Sequence, residues 1–274
     1  MKNNIGNFIV QKRKEMGYTQ QELARYLHVS FQAVSKWENG STTPDIVLLP
    51  KIAQFFRTSV DALLGYSSLP ETDYEKHYKQ EDYYWGLNPN KLCYDIMKLK
   101  PPIKPYRVLD MGCGEGKDAV FLAKNGYSVS AFDVAESGLE KARILAKKSG
   151  VKVNFFKANI LDYRPDGMFD IIFSSGVFHY ITPEIRNEVI SSLKEHTVVN
   201  GINVINVFVD KPFINNPPDY EMKEFENPPW HSGELFTYYH DWMFHKNDER
   251  IFDCNSGGIL HKHCMDVLIA ERKM

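Results

Sequence analysis

The run Val108 to Gly116, VLDMGCGEG, constrains this chain more than any other stretch. A strand pattern from Arg107 to Asp110 empties into a turn with glycine at every second position, Gly112, Gly114 and Gly116. A helical pattern, Lys117 to Lys124, follows at once. A strand ending in a glycine-rich turn at a helix start is where an α/β sheet meets a nucleotide-like ligand. Glycine permits positive φ and lets a ligand come close to the main chain. The next strand pattern, Tyr127 to Phe132, closes on Asp133. That is about twenty residues on, the spacing of a carboxylate that grips ribose hydroxyls.

Spacing separates two ligand classes. A dinucleotide turn reads GxGxxG and sets helix amides against a pyrophosphate. This turn reads GxGxG, with Asp110 two residues ahead of it. A carboxylate there repels a pyrophosphate and suits a cationic amino-acid end or a sulfonium. On these residues the segment resembles motif I of the class I S-adenosylmethionine-dependent methyltransferases, a hydrophobic pair followed by D/E-x-G-x-G-x-G. The resemblance implies S-adenosyl-L-methionine as cofactor, held at Asp110, Gly112, Cys113, Gly114, Gly116 and Asp133. It also implies that Val134 and Ile160 sandwich the adenine, and that Ser175 lines the fourth strand end. Asn159 stands where the family uses an Asp for the adenine amine, and keeps an oxygen acceptor there. The usual K-P-G-G before the fifth strand is replaced by Val199-Asn200-Gly201-Ile202, away from the cofactor.

Beyond the turn, strands and helices alternate. Strands are expected at Ser128–Asp133, Val151–Lys157, Phe169–Ser174 and Ile202–Phe208, with a last one at Val267–Glu271 in a hairpin with a Gly257-Gly258 turn. Helices are expected at Glu136–Lys148, with Leu139, Ala142, Ile144 and Leu145 inward, and at Pro183–Lys194. The alternation predicts an α/β, doubly wound, mostly parallel seven-stranded sheet whose final strand is antiparallel.

The first sixty residues read differently, as a small all-α domain. Apolar Ile5, Phe8, Ile9 and Met16 recur at helical spacing. Thr19 with Glu22 forms a capping box, Ser30 caps a further helix, and a fourth is expected to start at Pro44. The run TQQELARYLHVSFQAVSKWENG resembles the helix-turn-helix of the Cro/lambda-repressor-like (XRE) family, over roughly residues 5–65. The resemblance implies double-stranded DNA as partner, with the second helix in the major groove. Position by position it makes Phe31, Gln32, Ser35 and Lys36 the base-reading residues, and gives Gln20 and Asn39 to backbone phosphates. Gln32 suits adenine, Lys36 guanine, and Phe31 a thymine methyl. Trp37 is expected in the core. Residues 1–66 carry a net +3 and the remainder −5. That modest excess is low for salt-sensitive phosphate binding. A homodimer on a two-fold site would double it, and the sequence leaves that arrangement open.

The domain reading is therefore 1–66 for the helix-turn-helix, 67–82 for a linker and 83–274 for the methyltransferase. The aromatics Tyr74, Tyr78, Tyr83, Tyr84 and Trp85 either cover the cofactor or pack on the sheet domain. No apolar run approaches the roughly 20 residues of a membrane span, and the N-terminus has no signal-peptide apolar region. The four cysteines, without a CxxC, point to a reducing cytoplasm.

Within the methyltransferases, the stretches LDMGCGEGKDAVFLAKNGYSVSAFDVAESGLEKA and GELFTYYHDW and the closing Asp253 to Lys273 resemble the tellurite-resistance group, over about residues 83–274. That implies a small soft nucleophile as substrate: a thiol, or a selenium or tellurium oxyanion. His179, just past the fourth strand, is the first candidate for a general base; Arg186, His231 and Tyr238 are weaker candidates for substrate contact. The proline-bearing insertion Asp210 to Trp230 reads as a substrate lid. His261, His263 and Cys264 invite a metal reading, but an HxHC run on a hairpin is read here as a packed strand, and no metal is expected. A DNA amino-methylase would carry [DNS]-P-P-[YFW] after the fourth strand, where this chain has SSGVFHY; Asn227-Pro228-Pro229-Trp230 has the letters in the wrong place. The competing reading is a transcriptional regulator whose methyltransferase fold only senses a ligand.

Overall fold

The computed structural model describes residues 4–56, 58, 60–64, 73–214, 229–254 and 260–274. The chain divides into two compact units, Met1–Thr72 and Asp73–Met274.

The first unit is helical: α1 (Asn4–Glu15), α2 (Gln20–Leu27), α3 (Phe31–Glu38), a 3-10 turn (Ile46–Leu48), α4 (Leu49–Phe55) and α5 (Val60–Leu63). Thr19 and Glu22 cap α2 reciprocally, and the Ser30 side chain accepts from the Ala33 amide to cap α3. Between them His28 takes a left-handed φ of 57°, which turns the chain from one helix to the next. The helix expected from Pro44 begins only at Leu49. The Asp45 side chain caps the Val47 amide first and diverts the chain into the 3-10 turn. Ile9, Leu23, Leu27, Val34, Trp37 and Ile52 make the core, Trp37 included as expected. Arg13 clamps Glu38 through two bonds of 2.6 and 2.8 Å, tying α1 to α3.

The second unit opens with α6 (Asp73–Tyr78) and α7 (Lys91–Leu99). There follow β1 (Arg107–Met111), α8 (Lys117–Lys124), β2 (Ser128–Asp133), α9 (Glu136–Lys148), β3 (Asn154–Lys157) and β4 (Phe169–Ser174). A 3-10 turn (Phe178–Tyr180), α10 (Pro183–Glu195), β5 (Thr197–Val209), α11 (Glu234–Thr237), β6 (Met243–Cys254) and β7 (His261–Glu271) complete it. The seven strands run in the order β3-β2-β1-β4-β5-β7-β6. Strands β1 to β5 pair in parallel, and β7 lies antiparallel to both β5 and β6. Alternation along β1 sends Val108 to one face, with Leu92, Ala119 and Leu122, and Leu109 to the other, with Val189, Ile190 and Leu193. Among the described residues no helix is long and apolar enough to cross a membrane.

Other local expectations also need correction: β3 starts only at Asn154, and β7 already at His261. Ile144 is 50% exposed, because Leu139, Ala142 and Ala146 take the inner face of α9 at three- and four-residue steps. The hairpin partner of the last strand was expected without bounds; it is the long charged β6, which lies at the sheet edge with no buried residue and so lacks an apolar run. The expected linker is shorter at its C-terminal end: α6 belongs to the second unit, where Tyr78 is buried and Glu75 bonds Ser137 at the start of α9. The remaining linker, the Gly257-Gly258 turn and most of the lid insertion (215–228) lie outside the described residues.

Glu271, at the end of β7, receives Lys100 at 3.1 Å, His245 at 2.7 Å and Lys273 at 2.9 Å. Burial works to raise this carboxyl, but the three donors win and bring it down to about 2. A carboxyl lowered by folding stabilises the fold above its ordinary value, and that stability is lost as pH falls toward the lowered one. We expect Glu271→Gln to cost about 1–3 kcal/mol near neutral pH. In thermal unfolding curves the deficit should shrink between pH 4.5 and about 2.

Candidate active site and nucleic-acid face

The glycine turn is fastened to the next strand. The amides of Gly112 and Cys113 both donate to the Phe132 carbonyl at 2.9 Å. One residue on, the Gly114 amide donates to Asp133 Oδ2 at 2.8 Å, and the Ala135 amide to Asp133 Oδ1 at 2.9 Å. Asp133 therefore braces the turn from the end of β2. Gly112 has a φ of +76°, and a Cβ there would lie 2.4 Å from Val177 Cγ2. Gly116 has a φ of +81°, and a Cβ there would lie 2.5 Å from Ala142 Cβ and 3.0 Å from its Cα. Glycine is demanded twice over at each place, by conformation and by space.

Asp110, at the end of β1, is 2% exposed, and its Oδ2 meets no hydrogen-bond donor among the described residues. Burial pushes its carboxyl well above the ordinary range, and the charges of Asp118 and Asp133 push it further. Asp118 and Asp133 are themselves raised, burial being the leading cause for each. The Cys113 thiol is likewise raised by burial and by Asp110 and Asp133. Lys117 offsets part of this at Asp110 and Asp118, and a further cation beside Asp110 would favour its charged form. The cradle fits an S-adenosylmethionine-like ligand: an orphaned carboxylate for a positive group, and glycines that leave the main chain open.

The other strand ends hold the remaining cofactor candidates. Asn159 Oδ1 accepts from the Leu161 amide at 3.0 Å, and Ile160 is buried beside it. Val134 follows β2 directly and is half-buried. Ser175 Oγ accepts from Asn90 Nδ2 and Asn206 Nδ2, both at 2.9 Å. Asn206 Oδ1 takes the Gly176 amide at 2.6 Å, and the Asn90 amide donates to Asp118 Oδ1 at 2.6 Å. These polar groups fix the loop after β4 beside the glycine turn.

Sequence reasoning missed Asn90, Asp118 and Asn206. Asn206 had left a signal, as one of two asparagines, with Asn203, in the apolar run that closes β5. Of the aromatic run, Tyr78 is the buried member that meets the turn. A Cβ at Gly114 would stand 2.8 Å from its hydroxyl, and one at Gly138 would stand 2.8 Å from its ring. Trp85 Nε1 donates to that hydroxyl at 3.1 Å, and the Trp85 amide reaches Glu115. The aromatics thus pack on the sheet domain and cover the turn at once.

His179 does not fit a general base. It is 2% exposed and packed, with tilted rings, against Tyr180 and Phe208, with ring centroids at 4.1 and 4.9 Å. Burial, then the neighbouring His263, lower its pKa to about 3, so the ring stays neutral and weakly basic. Arg186 is a staple rather than a substrate contact: it pairs with Glu234 at 2.9 Å and lies over the Trp230 ring at 4.3 Å. His231 is exposed, its amide donating to Glu234, and Tyr238 packs against Trp230. Trp230, the last letter of the misplaced NPPW run, is wholly buried; Asn227 and Pro228 lie outside the described residues. Cys264 does not join the two histidines of β7; Cys254 on β6 does, its sulfur and their ring nitrogens all within 4.8 Å of one another.

In the first unit, Phe31, Gln32, Ser35, Lys36 and Asn39 share the face of α3 opposite Val34 and Trp37; Phe31 and Gln32 at its start are exposed. Gln20 is half-buried, and its Nε2 donates to Glu38 Oε2 at 2.7 Å. Asn39 Oδ1 accepts from the Ser41 amide.

The family described as "Tellurite resistance protein TehB" matches residues 76–263, and the "Helix-turn-helix" family matches residues 9–63. The chain belongs to the TehB family. The probable S-adenosyl-L-methionine-dependent methyltransferase TehB of Haemophilus influenzae is 29% identical over 185 residues, 67% of this chain and 60% of that protein. The ubiquinone biosynthesis O-methyltransferase of Rickettsia canadensis is 30% identical over 153 residues, 51% of this chain and 64% of that one. The chain thus spans less than two thirds of the length of these curated relatives. The crystal structure of TehB from Haemophilus influenzae has the same fold, with a TM-score of 0.58 and 24% identity over 74% of this chain and 67% of that one. The sheet is a methyltransferase sheet, preceded by a helix-turn-helix.

Gly116→Ala should cost about 3 kcal/mol or more, since left-handed strain and a clash with α9 backbone add. Gly167, where an added Cβ would meet nothing within 4 Å, is the neutral control for alanine in the same melting experiment.

Proposed function

We propose that residues 73–274 transfer a methyl group from S-adenosyl-L-methionine to a small soft nucleophile of the thiol, selenium-oxyanion or tellurium-oxyanion class. We propose with it that the helix-turn-helix binds double-stranded DNA and regulates transcription. The observation that carries the first reading is Asp110, a buried carboxylate without a hydrogen-bond donor on its Oδ2, set behind the glycine turn. When bound, the cofactor supplies an electrophilic methyl group on a sulfonium.

Asp110 would face the cationic end of the cofactor, and Gly112, Cys113, Gly114 and Gly116 would give it room. Asp133 and Val134 would meet the ribose side, Asn159 and Ile160 the adenine, and Ser175 the rim of the loop after β4. The protein's part is to align the reactants and exclude water. A soft anion brings its own lone pair, so a neutral His179 suits such an acceptor and does not need to take a proton. The tellurite-resistance description of the matching family supports the oxyanion class. That no cysteine is in a disulfide among the described residues supports a reducing, cytoplasmic setting.

Calorimetric titration of the full chain with S-adenosyl-L-methionine should show one site, lost in Asp133→Ala. A positive ligand stabilises the charged form of Asp110, whose carboxyl is raised in the ligand-free chain. At a pH low enough to leave Asp110 protonated in the free chain, binding should therefore release a proton, seen as a heat that varies with buffer ionisation enthalpy and that diminishes in Asp110→Asn. A folded parent that binds nothing would leave the chain as a DNA-binding regulator. Tight binding without methylation of thiol, selenite or tellurite would favour the sensor reading.

The helix-turn-helix reading rests on the exposed face of α3. Selection of random duplexes by the full chain should yield an operator, two-fold if two copies bind together. Gln32→Ala should relax one base position, at about 1–3 kcal/mol, and Lys36→Ala should weaken binding as well.

A further inference from the structure

One cluster in the second unit lies outside the cofactor cradle and the loop after β4. Cys254 ends β6, and His261 and His263 begin β7. The two strands pair antiparallel with Cys254 directly opposite His261 and Phe252 opposite His263. Cross-strand partners share a face of the sheet, and so do residues two apart on one strand. The register therefore puts a thiol and two imidazoles on the same side. Their donor atoms converge: His261 Nε2 and His263 Nε2 lie 2.8 Å apart, and Cys254 Sγ is within 4.8 Å of a ring nitrogen of each. The histidines are 3% and 6% exposed, and Cys254 is half-buried, which leaves the cluster reachable from one side.

We propose that Cys254, His261 and His263 bind one zinc ion. One thiolate and two imidazoles form a borderline-soft donor set, which suits zinc and lacks the oxygens that magnesium and calcium require. Zinc–nitrogen bonds of about 2.0–2.1 Å and zinc–sulfur bonds of about 2.3 Å place two ligands of a tetrahedral ion roughly 3.3–3.6 Å apart. The 2.8 Å between the imidazole nitrogens falls short of that range and the 4.8 Å limit on the whole donor set lies above it, so small side-chain rotations admit the ion. Binding deprotonates the thiol and replaces the contact between the two imidazoles with two metal bonds.

The location gives the site an outlook. Cys264 pairs with Val209 at the end of β5, so His263 and His261 lie just past that end. Ligands of an open parallel sheet bind beyond the carboxyl ends of its strands. The Phe208 ring packs at a tilt against His263 at 4.7 Å and against His179 at 4.9 Å, joining the cluster to the loop after β4. Three protein ligands leave a fourth coordination position for an outside ligand, the pattern of zinc sites that bind small molecules.

The test uses the full chain. After equilibration with zinc sulfate and desalting, elemental analysis should find one zinc per chain. His263→Gln should weaken zinc binding in calorimetry by at least about tenfold, and Cys254→Ser should do the same. Cobalt(II) provides a readout on the parent that does not depend on any variant folding. The expected spectrum has intense visible bands of a four-coordinate ion and a near-ultraviolet thiolate-to-metal band. A pale six-coordinate spectrum without the thiolate band would overturn the proposal. So would zinc retained at full stoichiometry and unchanged affinity in a folded Cys254→Ser, His263→Gln double variant.

Discussion

Two amides share one carbonyl oxygen at the centre of the larger unit, those of Gly112 and Cys113 on Phe132. That junction turns the chain off β1 and toward α8 while keeping it against β2. Because the turn is held so close, Val177 and Ala142 can press on it from the loop after β4 and from α9. The strand ends gathered by the parallel sheet are thereby locked into one rim. Tyr78 reaches that rim from α6, which precedes the sheet in sequence, so a residue far from the strands in pattern still helps to shape the site.

The rim is electrostatically incomplete. Glu115 has Lys141 at 2.8 Å, yet Asp110, Asp118 and Asp133 share a buried neighbourhood where none is held in an ion pair among the described residues. Asp133 and Asp118 are soothed by backbone amides, and Asp110 Oδ2 is not. Such an arrangement costs stability in the free chain and is the local departure from good packing that marks a functional place.

Much of this was legible in the chain itself. The β1 turn, the ends of β2, α9 and β4, and the capping box at Thr19 follow from short-range patterns, because each is fixed by its own residues. The bounds of the long strand β6 were not legible, since an edge strand with no buried residue carries no apolar signature. The start of α4 was obscured by Asp45, a cap competing with Pro44. Within the site, Asp110 and the glycines could be read from spacing. Asn90 could not, and Tyr78 was legible only as one of five aromatics, because their roles depend on how a segment outside the motif folds back over it. The environment of His179 was equally hidden: position after a strand end is visible in sequence, but desolvation by Phe208 and Tyr180 is a property of packing.

The placement of β6 has a consequence for how copies of this chain meet. An edge strand twelve residues long is a template for pairing with a neighbour's backbone. Here its middle carries Lys246, Asp248, Glu249 and Arg250, and Lys246 reaches sideways to Asp95 at 2.6 Å. A second sheet joining at that edge would have to strip water from those charges. At the opposite edge, β3 offers only four residues. Both margins of the sheet are poor places for runaway strand addition, so a long antiparallel extension can be carried without inviting fibres.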